Sequence, residues 1–96
     1  MKDYQKSFLN LAIESQALQF GEFTLKSGRQ SPYFFNAANM LKGTNLYQLA
    51  KCYVDAITDN GIDFECIYGP AYKGIFLGSI VATVFSEQGK NYPISF

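Results

Sequence analysis

The sequence contains no histidine and no tryptophan, and it has only two cysteines and three prolines. Without histidine, the chain cannot build a Ser-His-Asp or Cys-His catalytic group from its own residues. Cys52 and Cys66 do not form a C-x-x-C pair, so a zinc site of the usual Cys/His type is excluded as well. Both cysteines are expected to be buried, reduced thiols.

Net charge and long apolar runs are also missing. Eight basic residues balance eight acidic ones and form no basic block, so nucleic-acid binding is not expected. The longest apolar stretch, residues 75–85, is interrupted by Gly78, Ser79 and Thr83 and is too short to cross a bilayer. The N-terminal residues are polar and lack the apolar segment of a signal peptide. We therefore expect a cytoplasmic protein that binds neither nucleic acid nor membrane.

Aromatic residues are abundant instead, with nine Phe and seven Tyr. Apolar residues at helical spacing predict a first helix from Asp3, the expected N-cap, to about residue 16. Residues 22–26 and 31–37 alternate in polarity or are rich in aromatic residues, and a turn around Gly28 separates them. They predict a small antiparallel hairpin.

The second half of the chain has the order helix, strand, helix, strand. The first of these helices is predicted from Thr44, its expected cap, to about residue 59, with Gly61 in the left-handed conformation after its end. A strand over residues 64–68 then precedes a second helix over residues 73–88, which is apolar nearly all round and expected to be buried.

A last strand is predicted from residue 92 onwards. Strand, helix and strand together form a β-α-β unit, which is typical of a parallel sheet in an α/β protein. Two parallel strands leave the edges of a sheet open. We therefore expect the natural domain to continue beyond Phe96 or to receive strands from elsewhere.

The segment GPAYKG, residues 69–74, joins the predicted strand to the predicted helix. Ligands bind at the carboxyl ends of strands in open α/β sheets, and a helix N-terminus attracts anions. Lys73 adds a positive charge that is unfavourable for the helix unless an anion such as phosphate or pyrophosphate lies nearby. A surface loop with a solvated lysine is the alternative, because the segment is neither a Walker loop nor a G-x-G-x-x-G motif.

A second candidate region is KSGRQSPYFF, residues 26–35. Neighbouring side chains of a strand point in opposite directions, so Phe34 and Phe35 cannot both enter one core unless the strand is bent. Either one ring packs inside while the other covers a flat aromatic ligand, or the backbone between them presents hydrogen-bonding groups. An ordinary aromatic face of a hairpin is the alternative.

Three segments of the sequence together resemble the signature blocks of bacterial orotate phosphoribosyltransferases. They are FGEFTLKSGR (residues 20–29), SPYFFN (31–36) and GPAYKGI (69–75). The resemblance implies transfer of a phosphoribosyl group from phosphoribosyl pyrophosphate to orotate, giving orotidine 5′-monophosphate and pyrophosphate in pyrimidine biosynthesis. It also implies Mg²⁺ as a cofactor and a homodimer.

The fold implied by the resemblance is the α/β fold of type I phosphoribosyltransferases, of which this chain is expected to be the N-terminal half. Residues 1–43 would form an N-terminal helix and the hairpin of a small hood. Residues 44–96 would form the first part of the core, ending with the first β-α-β unit of the parallel sheet.

The site residues are carried over one by one. Lys26 is expected to contact phosphoribosyl pyrophosphate, Phe34 and Phe35 to form the orotate site, and Tyr72 and Lys73 to bind the pyrophosphate moiety. The bond before Tyr72 is also the expected place for a cis peptide.

The segment is expected to contain no catalytic residue and no metal ligand, because the family's flexible catalytic loop and main phosphoribosyl pyrophosphate signature are not in it. The chain alone is therefore expected to be inactive. A non-catalytic module of the same fold, which binds a nucleotide or only dimerises, is the alternative.

Overall fold

The computed structural model describes residues 1–96. The elements follow in the order α1 (Asp3–Glu14), β1 (Leu18–Thr24), β2 (Gln30–Phe35), a short 3-10 helix (Ala37–Met40), α2 (Gly43–Asp59), β3 (Ile67–Tyr68), α3 (Lys73–Ser86) and β4 (Ile94–Ser95). This order confirms the predicted helix and hairpin followed by a helix and a β-α-β unit.

β1 and β2 form the predicted antiparallel hairpin, in which Leu18 pairs with Phe35 and Phe20 with Tyr33. The register shifts just after Phe20, where Gly21 has a φ of +153°. This glycine therefore lies at an irregularity inside β1, which begins four residues before the predicted start of the strand at residue 22.

β3 and β4 run parallel, as predicted, with Ile67 opposite Ile94. Each strand is only two residues long, much shorter than predicted. Phe64 lies outside the ladder, and its ring contacts those of Tyr92 and Phe85 at centroid distances of 4.2 and 5.7 Å. Packing of this aromatic residue thus replaces strand pairing at the start of the predicted strand.

The two predicted helix caps are wrong by one or two positions. Lys2 precedes α1, and Asp3 lies in its first turn, where a carboxylate is favourable to the helix dipole. Lys42 precedes α2, so Thr44 lies inside the helix. The predicted left-handed residue after α2 is confirmed, since Gly61 has a φ of +60°.

Two hydrophobic clusters hold these elements together. The first joins α1, the residue before β1, the 3-10 helix and α2, and consists of Leu11, Ala12, Ala17, Met40 and Leu49. The second joins α2 to α3 and consists of Ala50, Val54, Val81, Val84 and Phe85. Leu77 of α3 packs against both clusters, so α3 is linked to the base of the hairpin as well as to α2.

α3 is buried on one face only, so the prediction of a helix buried all round is wrong. Phe76 is 59% exposed, and Ser79 and Thr83 are exposed on the same helix. None of the helices is long and apolar enough to cross a membrane.

The two cysteines lie in different environments. Cys52 is buried in α2, as predicted, but Cys66 is exposed. The prediction for Cys66 is wrong because it directly precedes β3, and a parallel sheet of only two strands leaves this part of the chain uncovered.

Candidate functional site

The loop between β3 and α3 lies at the carboxyl end of a strand of the parallel pair. Gly69 is buried, and its N–H donates to the carbonyl oxygen of Ser95 at 2.9 Å, which extends the ladder by one hydrogen bond. The chain then turns outwards, and the Tyr72 side chain is 83% exposed. The peptide bond between Ala71 and Tyr72 is cis, as expected.

The start of α3 offers free hydrogen-bond donors. The N–H groups of Lys73 and Gly74 donate to no acceptor of the chain, and no side chain caps the helix. The Lys73 side chain is exposed and forms no salt bridge. Free backbone donors, the positive end of a helix dipole and a lysine ammonium together suit an anion such as phosphate or pyrophosphate.

Phe34 and Phe35 occupy the end of β2 and remain 42% and 43% exposed. The ring of Phe34 lies 5.8 Å from that of Phe23 of β1, at an interplanar angle of 33°. Phe35 pairs with Leu18, which packs against the first hydrophobic cluster. Because neighbouring strand residues alternate in direction, we expect the two rings on opposite faces of the hairpin.

Ser31 is a residue of this region that sequence analysis did not single out. Its hydroxyl donates to the Tyr33 carbonyl oxygen at 2.7 Å and accepts from the Tyr33 N–H at 3.3 Å. Both backbone groups of Tyr33 are thereby held by one side chain directly before Phe34. The tendency of serine to bond backbone groups two residues away was the signal that could have drawn attention to it.

Lys26 lies in the turn of the hairpin. The turn is closed by the Leu25 N–H donating to the Arg29 carbonyl oxygen and by the Gly28 N–H donating to the Leu25 carbonyl oxygen, each at 2.8 Å. Lys26 itself is exposed and forms no salt bridge, so its charge is available to a ligand.

The five predicted site residues line none of the main cavities of the chain. The largest apolar cleft, of about 450 Å³, reaches Pro70 and Gly74 but otherwise lies between α2, β3 and α3. A cleft of about 420 Å³ on the hairpin is lined by Gly21, Glu22, Gln30, Ser31 and Pro32. The predicted residues are therefore displayed on exposed surfaces of two regions, which are linked through the contacts of Leu18 and Leu77 with the first hydrophobic cluster.

A resident metal ion does not fit the residues of this chain. No three His, Cys, Asp or Glu side chains come close enough together to hold one. The two groups with a clearly shifted pKa, Lys2 and Cys52, lie outside the candidate site.

Known proteins of one kind are similar to this chain in both sequence and structure. No family model matches the sequence. An orotate phosphoribosyltransferase of Xanthomonas euvesicatoria is 51% identical over 96 residues, which are 100% of this chain and 44% of that protein. An orotate phosphoribosyltransferase of Marinobacter nauticus is 49% identical, again over the whole of this chain and over 45% of its own length. The chain matches the orotate phosphoribosyltransferases over its entire length.

The crystal structure of the orotate phosphoribosyltransferase of Francisella tularensis supports the same match. It superimposes with a TM-score of 0.84 at 43% identity, over 91% of this chain and 44% of that chain. The α/β fold of type I phosphoribosyltransferases is thereby confirmed for the segment described here. The chain spans less than half the length of the orotate phosphoribosyltransferases it matches.

Proposed function

We propose that the chain is the orotate- and pyrophosphate-binding part of an orotate phosphoribosyltransferase. The complete enzyme would transfer the phosphoribosyl group of phosphoribosyl pyrophosphate to orotate and release orotidine 5′-monophosphate and pyrophosphate in pyrimidine biosynthesis. The observation that carries the proposal is the 51% identity to such an enzyme over all 96 residues. The exposed aromatic hairpin and the cationic start of α3 are consistent with it.

The start of α3 would bind the leaving group. As the bond between the ribose and pyrophosphate breaks, negative charge develops on the pyrophosphate oxygens. The unpaired N–H groups of Lys73 and Gly74 and the free ammonium of Lys73 would stabilise that charge. The exposed hydroxyl of Tyr72 would add a hydrogen bond, and Lys26 would supply a second cation from the hairpin.

The end of β2 would bind orotate. A half-exposed ring of Phe34 or Phe35 offers a flat apolar surface to the pyrimidine plane. The hairpin has only two strands, so β2 has an open edge, and the backbone N–H and C=O groups on it that Ser31 does not hold are available to a ligand. These groups would bind the polar atoms of the pyrimidine ring.

We further propose the cofactor, the oligomeric state and the cellular location that the family resemblance implies. Mg²⁺ would arrive on the phosphates of phosphoribosyl pyrophosphate, because this chain has no cluster of side chains to hold the ion itself. The enzyme would be a cytoplasmic homodimer that binds neither nucleic acid nor membrane.

Activity can be tested by completing the chain. The 96 residues would be fused to the part of the Xanthomonas enzyme that follows the matched segment, and orotidine 5′-monophosphate formation would be measured by chromatography. We expect turnover by the fusion and none by the chain alone. A folded fusion that forms no orotidine 5′-monophosphate would show the proposed reaction to be wrong. Binding of orotate without turnover would favour the non-catalytic module.

Individual roles can be tested in the same fusion. Lys73→Met should raise the KM for phosphoribosyl pyrophosphate by about tenfold, because an interaction of a charged group with the substrate phosphates is lost. Lys6→Met is the matched control, since Lys6 is also exposed and without a salt bridge but lies in α1. Equal effects of both substitutions would exclude a specific role of Lys73.

A further inference from the structure

The end of β3 and the start of α3 approach each other more closely than side chains allow. A Cβ atom on Gly69 would lie 2.3 Å from the carbonyl oxygen of Gly74 and 3.1 Å from the Cα atom of Ile75. A Cβ atom on Gly74 would lie 2.6 Å from Cδ and 2.9 Å from Cγ of Pro70. Carbon atoms pack favourably at about 3.5–4.0 Å, so both positions require glycine for reasons of space.

The two glycines differ in what surrounds them. The atoms that a Cβ on Gly69 would meet all belong to the backbone of α3, so only a shift of the helix could make room. The nearest atoms to a Cβ on Gly74 belong to the ring of Pro70, and a smaller residue at position 70 would remove them. The backbone carbonyl carbon of Gly69 follows at 3.2 Å, so the backbone there would still have to shift by a few tenths of an ångström.

This close approach fixes the first turn of α3 relative to the sheet. Gly69 is held on its other side by the hydrogen bond from its N–H to the Ser95 carbonyl oxygen of β4. The unpaired N–H groups of Lys73 and Gly74 belong to the turn that rests on Gly69. Moving that turn outwards by the width of a methyl group would therefore displace these donors from the strand end.

We propose that Gly69 and Gly74 are positioning residues for the pyrophosphate group. Their contact sets where the donors of Lys73 and Gly74 stand, and neither glycine needs to touch the ligand through a side chain. This inference rests on the proposed function, because it assumes that these donors bind pyrophosphate. It adds that the affinity for pyrophosphate depends on the spacing between strand and helix as well as on the charge of Lys73.

Gly78 provides a matched control within the same structure. It is also buried, one turn further along α3, and a Cβ atom there would lie 3.4 Å from the Cα atom of Gly69 and 3.5 Å from Cδ1 of Ile94. These are ordinary contact distances. Gly78→Ala therefore adds the same methyl group beside the same glycine without forcing strand and helix apart.

The test uses the fusion that forms orotidine 5′-monophosphate. Binding of inorganic pyrophosphate in the presence of Mg²⁺ is measured by calorimetry for Gly69→Ala, Gly74→Ala, Pro70→Ala, the double variant P70A/G74A, and Gly78→Ala. We expect the first two variants to bind pyrophosphate at least about tenfold more weakly, because displacement of binding groups by about 1 Å is costly. Gly78→Ala and Pro70→Ala should stay within about twofold of the unsubstituted protein.

The double variant gives the sharpest result. Pro70→Ala should restore most of the pyrophosphate affinity that is lost in Gly74→Ala. The KM for phosphoribosyl pyrophosphate should follow the calorimetric affinities, whereas the affinity for orotate should change by less than about twofold. A purely structural role would instead lower the folded fraction and affect both substrates alike.

The outcomes separate this inference from the proposed function. If the unsubstituted fusion binds no pyrophosphate, the proposed function is wrong and the inference falls with it. If the fusion binds pyrophosphate and Gly74→Ala binds it equally well, only the positioning role is wrong. The same conclusion follows if Pro70→Ala restores nothing or if orotate affinity falls in parallel. Should Gly69→Ala fail to fold, the pyrophosphate affinities of Gly74→Ala and P70A/G74A test the positioning role.

Discussion

The hairpin and the β-α-β unit differ in how they are held together. β1 and β2 pair along most of their length, yet neither strand contains a buried residue, and Phe20 is 72% exposed. β3 and β4 pair over two residues each, but the helix between them buries Val81, Val84 and Phe85. Backbone hydrogen bonds thus define the hairpin, and side-chain burial defines the β-α-β unit.

The hairpin relies on its base for attachment to the body of the molecule. There the N–H of Asn36 donates to the Ala17 carbonyl oxygen at 2.7 Å, and the Asn39 amide donates to the Gln16 carbonyl oxygen at 3.0 Å. An isolated two-stranded hairpin is only marginally stable in water. Stability is therefore concentrated around α3, whereas the hairpin presents exposed groups that are free to contact a ligand.

Truncating a core ring should have the largest effect. Phe85 is 1% exposed and contacts the rings of Phe64 and Tyr92. Phe85→Ala is expected to lower the free energy of unfolding by about 3–5 kcal/mol, through lost burial and the cavity that remains. Phe20→Ala removes the same ring from the hairpin surface and should cost no more than about 0.5 kcal/mol. Urea denaturation of both variants checks this, and equal losses would contradict the comparison.

The alkylation rates of the two thiols report how well each is buried in the second half of the chain. Burial raises the pKa of the Cys52 thiol, and the charge of Asp55 adds to the effect, so its thiolate is scarce at pH 8. Cys66 is exposed. In the folded protein we expect iodoacetamide to alkylate Cys66 on the order of 100-fold faster than Cys52, because Cys52 reacts only after local opening. The Cys66→Ser variant isolates the slow reaction.

Urea should abolish the difference between the thiols, since both then have the environment of an unfolded chain. Equally fast alkylation of Cys52 and Cys66 in the absence of urea would mean that Cys52 is not buried as described. Intact and peptide mass spectrometry distinguish the two sites.

The order of the elements was predictable because its signals are local. The apolar stripe of α2 and the strand–loop–helix pattern around Lys73 are visible in the sequence, and Gly61 marks a helix end by its own conformational preference. Strand lengths were not predictable. Phe64 leaves the ladder to pack against Tyr92, a partner 28 positions away in the sequence, and local patterns contain no information on such a contact. Gly21 is likewise ambiguous, because the same residue suits a break or a bulge.

The residues of the candidate site could be named one by one only through the family resemblance, and their roles stay predictions. Composition and spacing left Lys73 as either an anion ligand or a solvated lysine, and left Phe34 as either a ligand contact or a hairpin ring. The sequence could not show the contact between Gly69 and Gly74, because that contact depends on the angle between strand and helix. Ser31 was missed for a similar reason, since its two hydrogen bonds to Tyr33 depend on the conformation of the chain between these residues.

An aromatic substitution on the hairpin should change binding rather than stability. In the fusion that forms orotidine 5′-monophosphate, Phe34→Ala is expected to weaken orotate binding about tenfold, because a stacked ring contact contributes about 1–1.5 kcal/mol. The urea midpoint should move little, since Phe34 is 42% exposed. Phe20→Ala is again the control, as it removes an exposed ring of the same hairpin. Calorimetric titration with orotate checks the result, and unchanged affinity would exclude ring packing by Phe34.

The smallest effect is expected where α1 meets the end of α2. The Lys2 ammonium donates a hydrogen bond to the Asp59 carboxylate, and this bond, followed by the attraction of the charges, raises the pKa of Lys2. Because the folded state binds this proton more tightly, the stabilisation is fully present below the ordinary lysine pKa of about 10.4 and is lost as the pH rises through the higher folded value. Lys2→Met should therefore lower the thermal midpoint at pH 7 slightly more than Lys6→Met, which removes an unpaired lysine of the same helix.

Both groups of the pair are exposed, so about 1 M salt should reduce the difference between the two variants to nothing. A difference that survives both high salt and pH 12 would mean that the methylene groups of Lys2, rather than its charge, hold the start of α1 in place.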